Sequence, residues 1–302
     1  IALLESFGPT NAMSCSSGYC GKWCPSILLF DLLQTDPNSS ICTSLNLNSF
    51  WSLAVVSNAT NTGPYCEREM AKIQATGGNS GYWNDANGFK SNSYDTSFKA
   101  ATGINAYLFT AVTKLGCEDT ALTWVTVNPV PVANFSMNDT TQCFNKNSFD
   151  IQNLTTVSTG NFSNTWWFGD SVNSQITSAN PSKKYLKYGN FTIKLLAVTP
   201  NGCKDSLSKN VFIYPMPIIQ PTIDSTCVGK QIFCNGNIQS FGDSIKYALW
   251  KFKNGVTDTF ENSSHIFTEY GIDTLRFEAI SIHGCSSIDT LTHAIYSVPM
   301  AK

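Results

Sequence analysis

Charge is scarce in this chain: its 302 residues hold 19 Lys and Arg against 21 Asp and Glu, a net of −2, with only three histidines. Charges so few and so balanced give no basic footprint for nucleic acid and no polybasic patch for a membrane surface. No apolar run reaches the roughly 18 residues that a spanning helix requires, so no membrane span is expected. The chain starts at Ile1 without a charged stretch or an apolar signal core, which reads as a processed chain or an internal piece of a longer one. Ser, Thr and Asn must then make most of the surface, as suits a secreted β protein. The length alone suggests two or three domains.

Histidine is too rare and too poorly placed for an obvious active site. His265, His283 and His293 lie in the last third, none beside a Ser or Cys in a nucleophile context. Glu67 and Glu69 are a carboxylate pair two residues apart, read as solvated rather than as a glycosidase dyad. We assign no catalytic residue and no cofactor, and expect a protein that is not an enzyme.

Repetition and cysteine are what the chain does have. Thr165-Trp166-Trp167-Phe168-Gly169-Asp170 is an apolar run closed by a Gly-Asp turn, followed downstream by Gly202-Cys203. The layout recurs as Trp83 then Gly116-Cys117, and as Trp250-Lys251-Phe252 then Gly284-Cys285. Gly103, Gly189 and Gly271 stand at one fixed offset before those cysteines, each followed by alternation: Tyr107, Phe109, Ala111; Ile193, Leu195, Ala197; Leu275, Phe277, Ala279. A pattern repeated along a chain marks an array. Two period-2 runs around a Gly-Cys tip read as a β-hairpin. Pro129-Val130-Pro131 and Pro215-Met216-Pro217 then read as short stiff linkers, since proline fixes φ and cannot donate to a ladder.

Each copy also has an upstream cysteine: Cys66, Cys143 and Cys227. The expected pairs are Cys66 with Cys117, Cys143 with Cys203 and Cys227 with Cys285, each tying an early turn to the tip of the last hairpin. Closing such a loop contributes about 4 kcal/mol on the chain-entropy model, which matters for units this small. Eleven cysteines in paired spacings point to an oxidising compartment.

On these residues the chain resembles a known family. Residues 131–216, with Trp166-Trp167-Phe168-Gly169-Asp170-Ser171, Tyr188-Gly189-Asn190-Phe191 and Asn201-Gly202-Cys203, resemble a PKD domain, an immunoglobulin-like β-sandwich; Ser171 replaces the usual glycine. Residues 62–130 are similar to a sister Ig-like repeat of secreted Bacteroidota proteins, through Tyr65-Cys66-Glu67, Gly77-Gly78, Trp83, Asn87-Gly88-Phe89, Gly116-Cys117 and Val127-Asn128-Pro129-Val130-Pro131. There Asp85-Ala86 stands where Gly-Pro is usual. Residues 217–302 look like a degenerate copy, keeping Trp250, Phe252, Tyr270-Gly271 and Gly284-Cys285 while Lys253-Asn254 replaces the Gly-Asp turn. The resemblance implies an all-β tandem of Ig-like and PKD-like sandwiches. Such modules are scaffolding in adhesins, gliding-motility surface proteins, proteases and glycosidases alike, so they specify fold and not function.

Residues 1–61 read as a truncated or non-standard Cys-rich unit, with residues 26–34 fitting strand or helix. Cys15, Cys20, Cys24 and Cys42 match a zinc site in number but lack a C-x2-C knuckle, so disulfides are the expectation. Trp23-Cys24-Pro25-Ser26 lacks the resolving thiol of a redox turn. Cys234 is the odd cysteine: a buried thiol, a mate for Cys227, or a partner for a neighbouring molecule.

Three further signals bear on surface function. Asp170 reads as a turn-fixing carboxylate, with calcium the weaker alternative because no ligand series surrounds it. Trp83, Trp166 and Trp250 read as core, whereas Trp51, Trp124 and Trp167 could face outward; Trp124 and Trp167 are the candidates for stacking on sugars. Asp followed by Ser or Thr and then an apolar residue or Thr makes Thr120, Thr140, Ser171, Ser206, Ser244, Thr274 and Thr290 candidate O-glycosylation sites, since the family resemblance implies such a motif. The rival explanation is that Asp-Thr begins a strand after a turn. Asn-x-Ser/Thr sequons such as Asn153 and Asn190 are expected by chance in so Asn- and Ser-rich a chain. The expectation is an extracellular or cell-surface structural or adhesive array. Its partners would be neighbouring repeats, copies of itself, surface glycans or other cell-surface proteins. The alternative is a non-catalytic accessory region of a secreted hydrolase.

Overall fold

The structure, a computed structural model, describes residues 56–171 and 175–299. All regular elements among them are β-strands. The chain divides into two compact units, residues 1–129 and 130–302. The expectations for residues 1–55, including Cys15, Cys20, Cys24, Cys42 and Trp51, lie outside the described residues.

Among its described residues the first unit holds one sandwich. Its strands are β1 (Asn58–Asn61), β2 (Tyr65–Cys66), β3 (Ala71–Thr76), β4 (Ser80–Asn84), β5 (Lys90–Ser91), β6 (Asp95–Phe98), β7 (Gly103–Val112) and β8 (Glu118–Asn128). One sheet has the order β1-β3-β6 and the other β2-β8-β7-β4-β5. Alternation places Ala71, Ile73 and Ala75 of β3 inward against Trp83, Phe109 and Val125 of the facing sheet. Tyr65 joins the two sheets: its hydroxyl donates to Lys72 O (2.8 Å) and accepts from Lys72 N–H (2.9 Å). Strand β1 begins before residue 62, where the sequence reading started this domain. Its Asn-Ala-Thr-Asn carries no apolar alternation to betray it, yet it pairs along β3 from Asn58↔Thr76 to Asn61↔Ile73.

The second unit holds two sandwiches with separate cores. The earlier one contains β9 (Phe135–Met137), β10 (Thr141–Cys143), β11 (Phe149–Asn153), β12 (Ser163–Trp167), β13 (Ser182–Lys183), β14 (Gly189–Val198) and β15 (Lys204–Tyr214). Sheet β10-β15-β14-β12 faces sheet β13-β11-β9 across Trp166, Phe149, Tyr185, Ile193 and Leu195.

The later one contains β16 (Ile218–Ile219), β17 (Thr222–Ile223), β18 (Thr226–Cys227), β19 (Gln231–Asn235), β20 (Ile238–Gln239), β21 (Ile245–Lys251), β22 (Thr257–Asp258), β23 (Asn262–Ile266), β24 (Gly271–Ser281) and β25 (Ser286–Tyr296). Its main sheet runs β18-β25-β24-β21-β22, opposite β17-β19-β23, with β16-β20 a separate pair.

The repeated residues have repeated jobs. Each core Trp is fully buried and donates its indole N–H to a backbone carbonyl: Trp83 to Tyr94 O (3.3 Å), Trp166 to Ser178 O (3.0 Å), Trp250 to Glu261 O (3.1 Å). Gly116, Gly202 and Gly284 sit at φ 82°, 83° and 82°. Each donates its N–H three residues back, to Thr113, Thr199 or Ser281, whose own N–H reaches the carbonyl of the following cysteine. That is a three-residue hairpin whose left-handed position favours glycine, and it explains the Gly-Cys signature.

Candidate functional site

The position two residues after each tip cysteine holds the incoming segment of its own sandwich. Asp119 Oδ2 accepts from Ser57 N–H (2.7 Å) and Oγ (2.8 Å), and Asp205 Oδ2 from Ala133 N–H (2.9 Å). Ser287 Oγ donates to Pro217 O (2.6 Å). Burial works against ionisation of Asp119, yet hydrogen bonds from Ser57 N–H and Oγ and from Thr120 N–H outweigh it and hold the carboxyl below its ordinary value. Each sandwich is therefore entered beside its Gly-Cys tip.

The chain leaves at the other end. Strands β2, β10 and β18 pair in parallel with the last strand of their sandwich, placing Cys66 opposite Asn128, Cys143 opposite Tyr214 and Cys227 opposite Tyr296. The residue after each cysteine donates to the carbonyl of that last-strand partner: Glu67 to Asn128, Phe144 to Tyr214, Val228 to Tyr296. Each last strand is 11 residues long and starts beside the tip cysteine. The two cysteines of one copy thus stand on the order of 35 Å apart, far beyond the roughly 7 Å limit on Cα separation for a disulfide.

This geometry corrects the expected pairing. Cys143 is bonded to Cys285, across 142 residues and with Cα atoms 5.4 Å apart. Pairs Cys143–Cys203 and Cys227–Cys285 therefore do not exist, and end-to-end separation rules out Cys66–Cys117 as well. Cys66, Cys117 and Cys203 are each in disulfides, whereas Cys227 is a free, half-buried thiol. Cys234 is the buried thiol among its three readings, 1% exposed in the last core. Burial, with Asp224 and Asp258 adding to it, pushes that thiol up to about 11.

The Cys143–Cys285 bond is the centre of a junction between the two sandwiches of the second unit. The His283 ring stacks on Tyr214 with centroids 3.7 Å apart and planes 13° apart. His283 Nδ1 also meets Asp243 Oδ1 at 2.7 Å. Pro215 and Pro217 of the Pro-x-Pro segment are buried. Beside them runs a groove of about 400 Å³ lined by Phe144, Tyr185, Leu186, Met216 and Ser286, among others. The linker is stiff because it is packed as well as because it is proline.

The remaining sequence-derived positions sort by exposure. Thr120, Thr140, Ser171, Ser206, Ser244, Thr274 and Thr290 are all exposed. Several aspartates of that motif have structural work of their own: Asp119 and Asp205 as above, while Asp139, Asp273 and Asp289 accept from the N–H of Thr140, Thr274 and Thr290. Asp170 pairs through Oδ2 with the Lys183 ammonium. Among the described residues no His, Cys, Asp and Glu side chains gather as a metal site. Glu69 closes a turn, Oε2 accepting from Cys66 N–H (2.7 Å). His265 lies flat on Phe252.

The two candidate stacking tryptophans belong to different sheets. Trp124 is 59% exposed on the outer face of β8, beside Ala106 and near exposed Leu122 and Ile104. Trp167 is half-buried, with Lys194 Nζ 5.7 Å from its ring centre. Sequence reasoning missed the stapled junction, because nothing in the linear order of Tyr214-Pro215 and His283-Gly284 places one ring on the other.

No family model matches the sequence, and no curated protein matches it. Solved structures do. The eight N-terminal Ig domains of Down Syndrome Cell Adhesion Molecule align over 81% of this chain and 37% of theirs, with TM-score 0.51 and 11% identity. This chain thus spans little more than a third of that structure. The three N-terminal domains of the Highly Immunogenic Outer Capsid protein of bacteriophage RB49 align over 82% of this chain and all of theirs, TM-score 0.39, 11% identity. The PKD1 domain of Vibrio cholerae metalloprotease PrtV aligns over 27% of this chain and 98% of its own, TM-score 0.25, 17% identity. At such identities the likeness is one of fold: the chain is an all-β series of Ig-like sandwiches.

Proposed function

We propose that the chain is part of an extracellular, non-catalytic repeat array that serves as a structural or adhesive element at a cell surface. The observation carrying this reading is the Cys143–Cys285 bond between consecutive sandwiches. A disulfide inside a domain stabilises that domain, whereas one across a junction removes freedom between domains, which suits a load-bearing strut. Sparse charge and the exposed Ser and Thr hydroxyls suit an extracellular surface, and glycosylation at the seven Asp-Ser/Thr positions and an origin in Bacteroidota belong to the same proposal. Its partners would be adjoining repeats, copies of itself, or glycans and proteins of a neighbouring surface.

Electron microscopy of native material, with intact mass before and after reduction, tests the reading. Extended particles or longer assemblies, with added hexose mass on the chain, support it. A compact particle that turns over a substrate would overturn it.

The exposed apolar strip around Trp124 favours a second reading, a carbohydrate-binding accessory module. Binding of soluble glycans that is lost in Trp124→Ala, with the fold intact, would support that instead.

A further inference from the structure

We infer that the free thiol Cys227 and the ring of Tyr296 form a docking site for the Gly-Cys hairpin tip of a further sandwich of this type; the inference rests on the array reading above. The argument is internal to the second unit. Cys143 and Cys227 end short strands paired in parallel with the last strand, each opposite a tyrosine, Tyr214 or Tyr296. The next residue donates to that tyrosine's carbonyl at 2.9 Å in both places. The sequences then run in step, Tyr214-Pro215-Met216-Pro217 beside Tyr296-Ser297-Val298-Pro299, and Lys146 and Lys230 each stand three residues after the cysteine.

The first of these two faces is occupied. Cys285 bonds Cys143, His283 covers Tyr214, and Ser287 holds Pro217 O. The second has the same parts uncovered. Tyr296 is 59% and Val298 56% exposed, Cys227 is a free thiol, and an apolar hollow of about 480 Å³ lies among Thr226, Cys227, Lys230, Tyr296 and Val298. What covers such a face one repeat earlier is a hairpin tip of the form ring residue, Gly, Cys, and that is the occupant assigned here. Among the described residues every tip cysteine of this chain is already bonded, so the tip comes from another sandwich. The bond forms when the Cys227 thiol and the incoming thiol exchange with a small-molecule disulfide. One new S–S bond replaces the old one, and the oxidant leaves as two thiols carrying both electrons and both protons.

Two measurements test the site. In the first, residues 1–299 are followed directly by a second copy of residues 218–302, which preserves the Pro217 register. Native alkylation and peptide mapping should find the inner Cys227 linked to the added Cys285 and only the terminal Cys227 labelled. Both copies labelled, with the added sandwich protease-resistant, would overturn the inference. In the second, the unaltered chain meets a synthetic peptide of residues 280–288 whose cysteine is activated as a thionitrobenzoate disulfide. Cys227 Sγ attacks the peptide sulfur and the thionitrobenzoate anion leaves. The reaction should run about tenfold faster than with a scrambled peptide, and Tyr296→Ala should remove the preference. Equal rates would overturn the inference whether or not the extended chain folds. Absence of the Cys143–Cys285 peptide from the native chain would instead sink the array reading itself.

Discussion

The imidazole of His283 lies flat on the phenol of Tyr214, the tip of one sandwich seated on the last strand of the one before it. The stack sits beside the Cys143–Cys285 bond, so two kinds of contact hold the same junction. Tyr214→Ala should weaken the junction by about 1 kcal/mol, the range of a ring pair beyond its area burial. Denaturant titration of the reduced protein, where the disulfide no longer masks the loss, is the measurement. An unchanged midpoint would show that the stack contributes nothing.

Gly169 closes the Gly-Asp turn at φ 72°, and a Cβ there would lie 3.0 Å from Thr192 N and O. Gly202, at φ 83°, has nothing within 4 Å. Both positions carry the left-handed penalty of roughly 1 to 2 kcal/mol for an L residue, and only Gly169 adds a backbone collision. Gly169→Ala should therefore destabilise the sandwich more than Gly202→Ala in matched urea titrations. The reverse order would remove the close approach as the reason for glycine in this turn.

Trp166 is wholly buried, donating to Ser178 O, whereas Trp124 stands in solvent. Trp166→Ala should cost about 3 to 5 kcal/mol, while Trp124→Ala should stay within about 0.5 kcal/mol. Thermal melts of the two variants decide the matter. A large loss from Trp124→Ala would mean that the outer face is packed against something.

Alkaline pH should destabilise the earlier sandwich of the second unit through Tyr185. Burial first, and then the Asp170 carboxylate, push its hydroxyl well above the ordinary phenol range. That hydroxyl donates to Phe168 O at 2.9 Å. The folded state holds the proton more tightly, so the contribution is complete below the unfolded value near 10 and is lost progressively as pH rises above it. Tyr107 in the first sandwich shifts the same way, through burial and then Asp85. Phenolate absorbance should show these tyrosines ionising only together with unfolding, and early, reversible ionisation of all tyrosines in the folded protein would contradict the account.

The repeat was legible because its residues carry conformational demands that sequence records directly. Gly103, Gly189 and Gly271 open their long strands at φ 113°, 125° and 135°, and the alternation after each one fills a core. The disulfide pairing was not legible. Linear spacing between Cys143 and Cys203 says nothing of which end of a sandwich each occupies, and the parallel pairing of β10 with β15 decides that. Strand β1 was hidden for another reason. At Asn58–Asn61 a polar edge strand needs backbone partners and almost no apolar side chains, so no periodicity announces it. The exposed site candidates stayed ambiguous because Asp before Ser or Thr serves a turn as well as it serves a modifying enzyme, as Asp139 does here.

Peptide mapping of the native chain without reduction tests the central claim most directly. The stapled array predicts one cross-linked peptide joining Cys143 to Cys285, with Cys227 alkylated before denaturation and Cys234 only after it. A peptide joining Cys143 to Cys203, or Cys227 to Cys285, would put the bonds back inside single sandwiches and contradict the account.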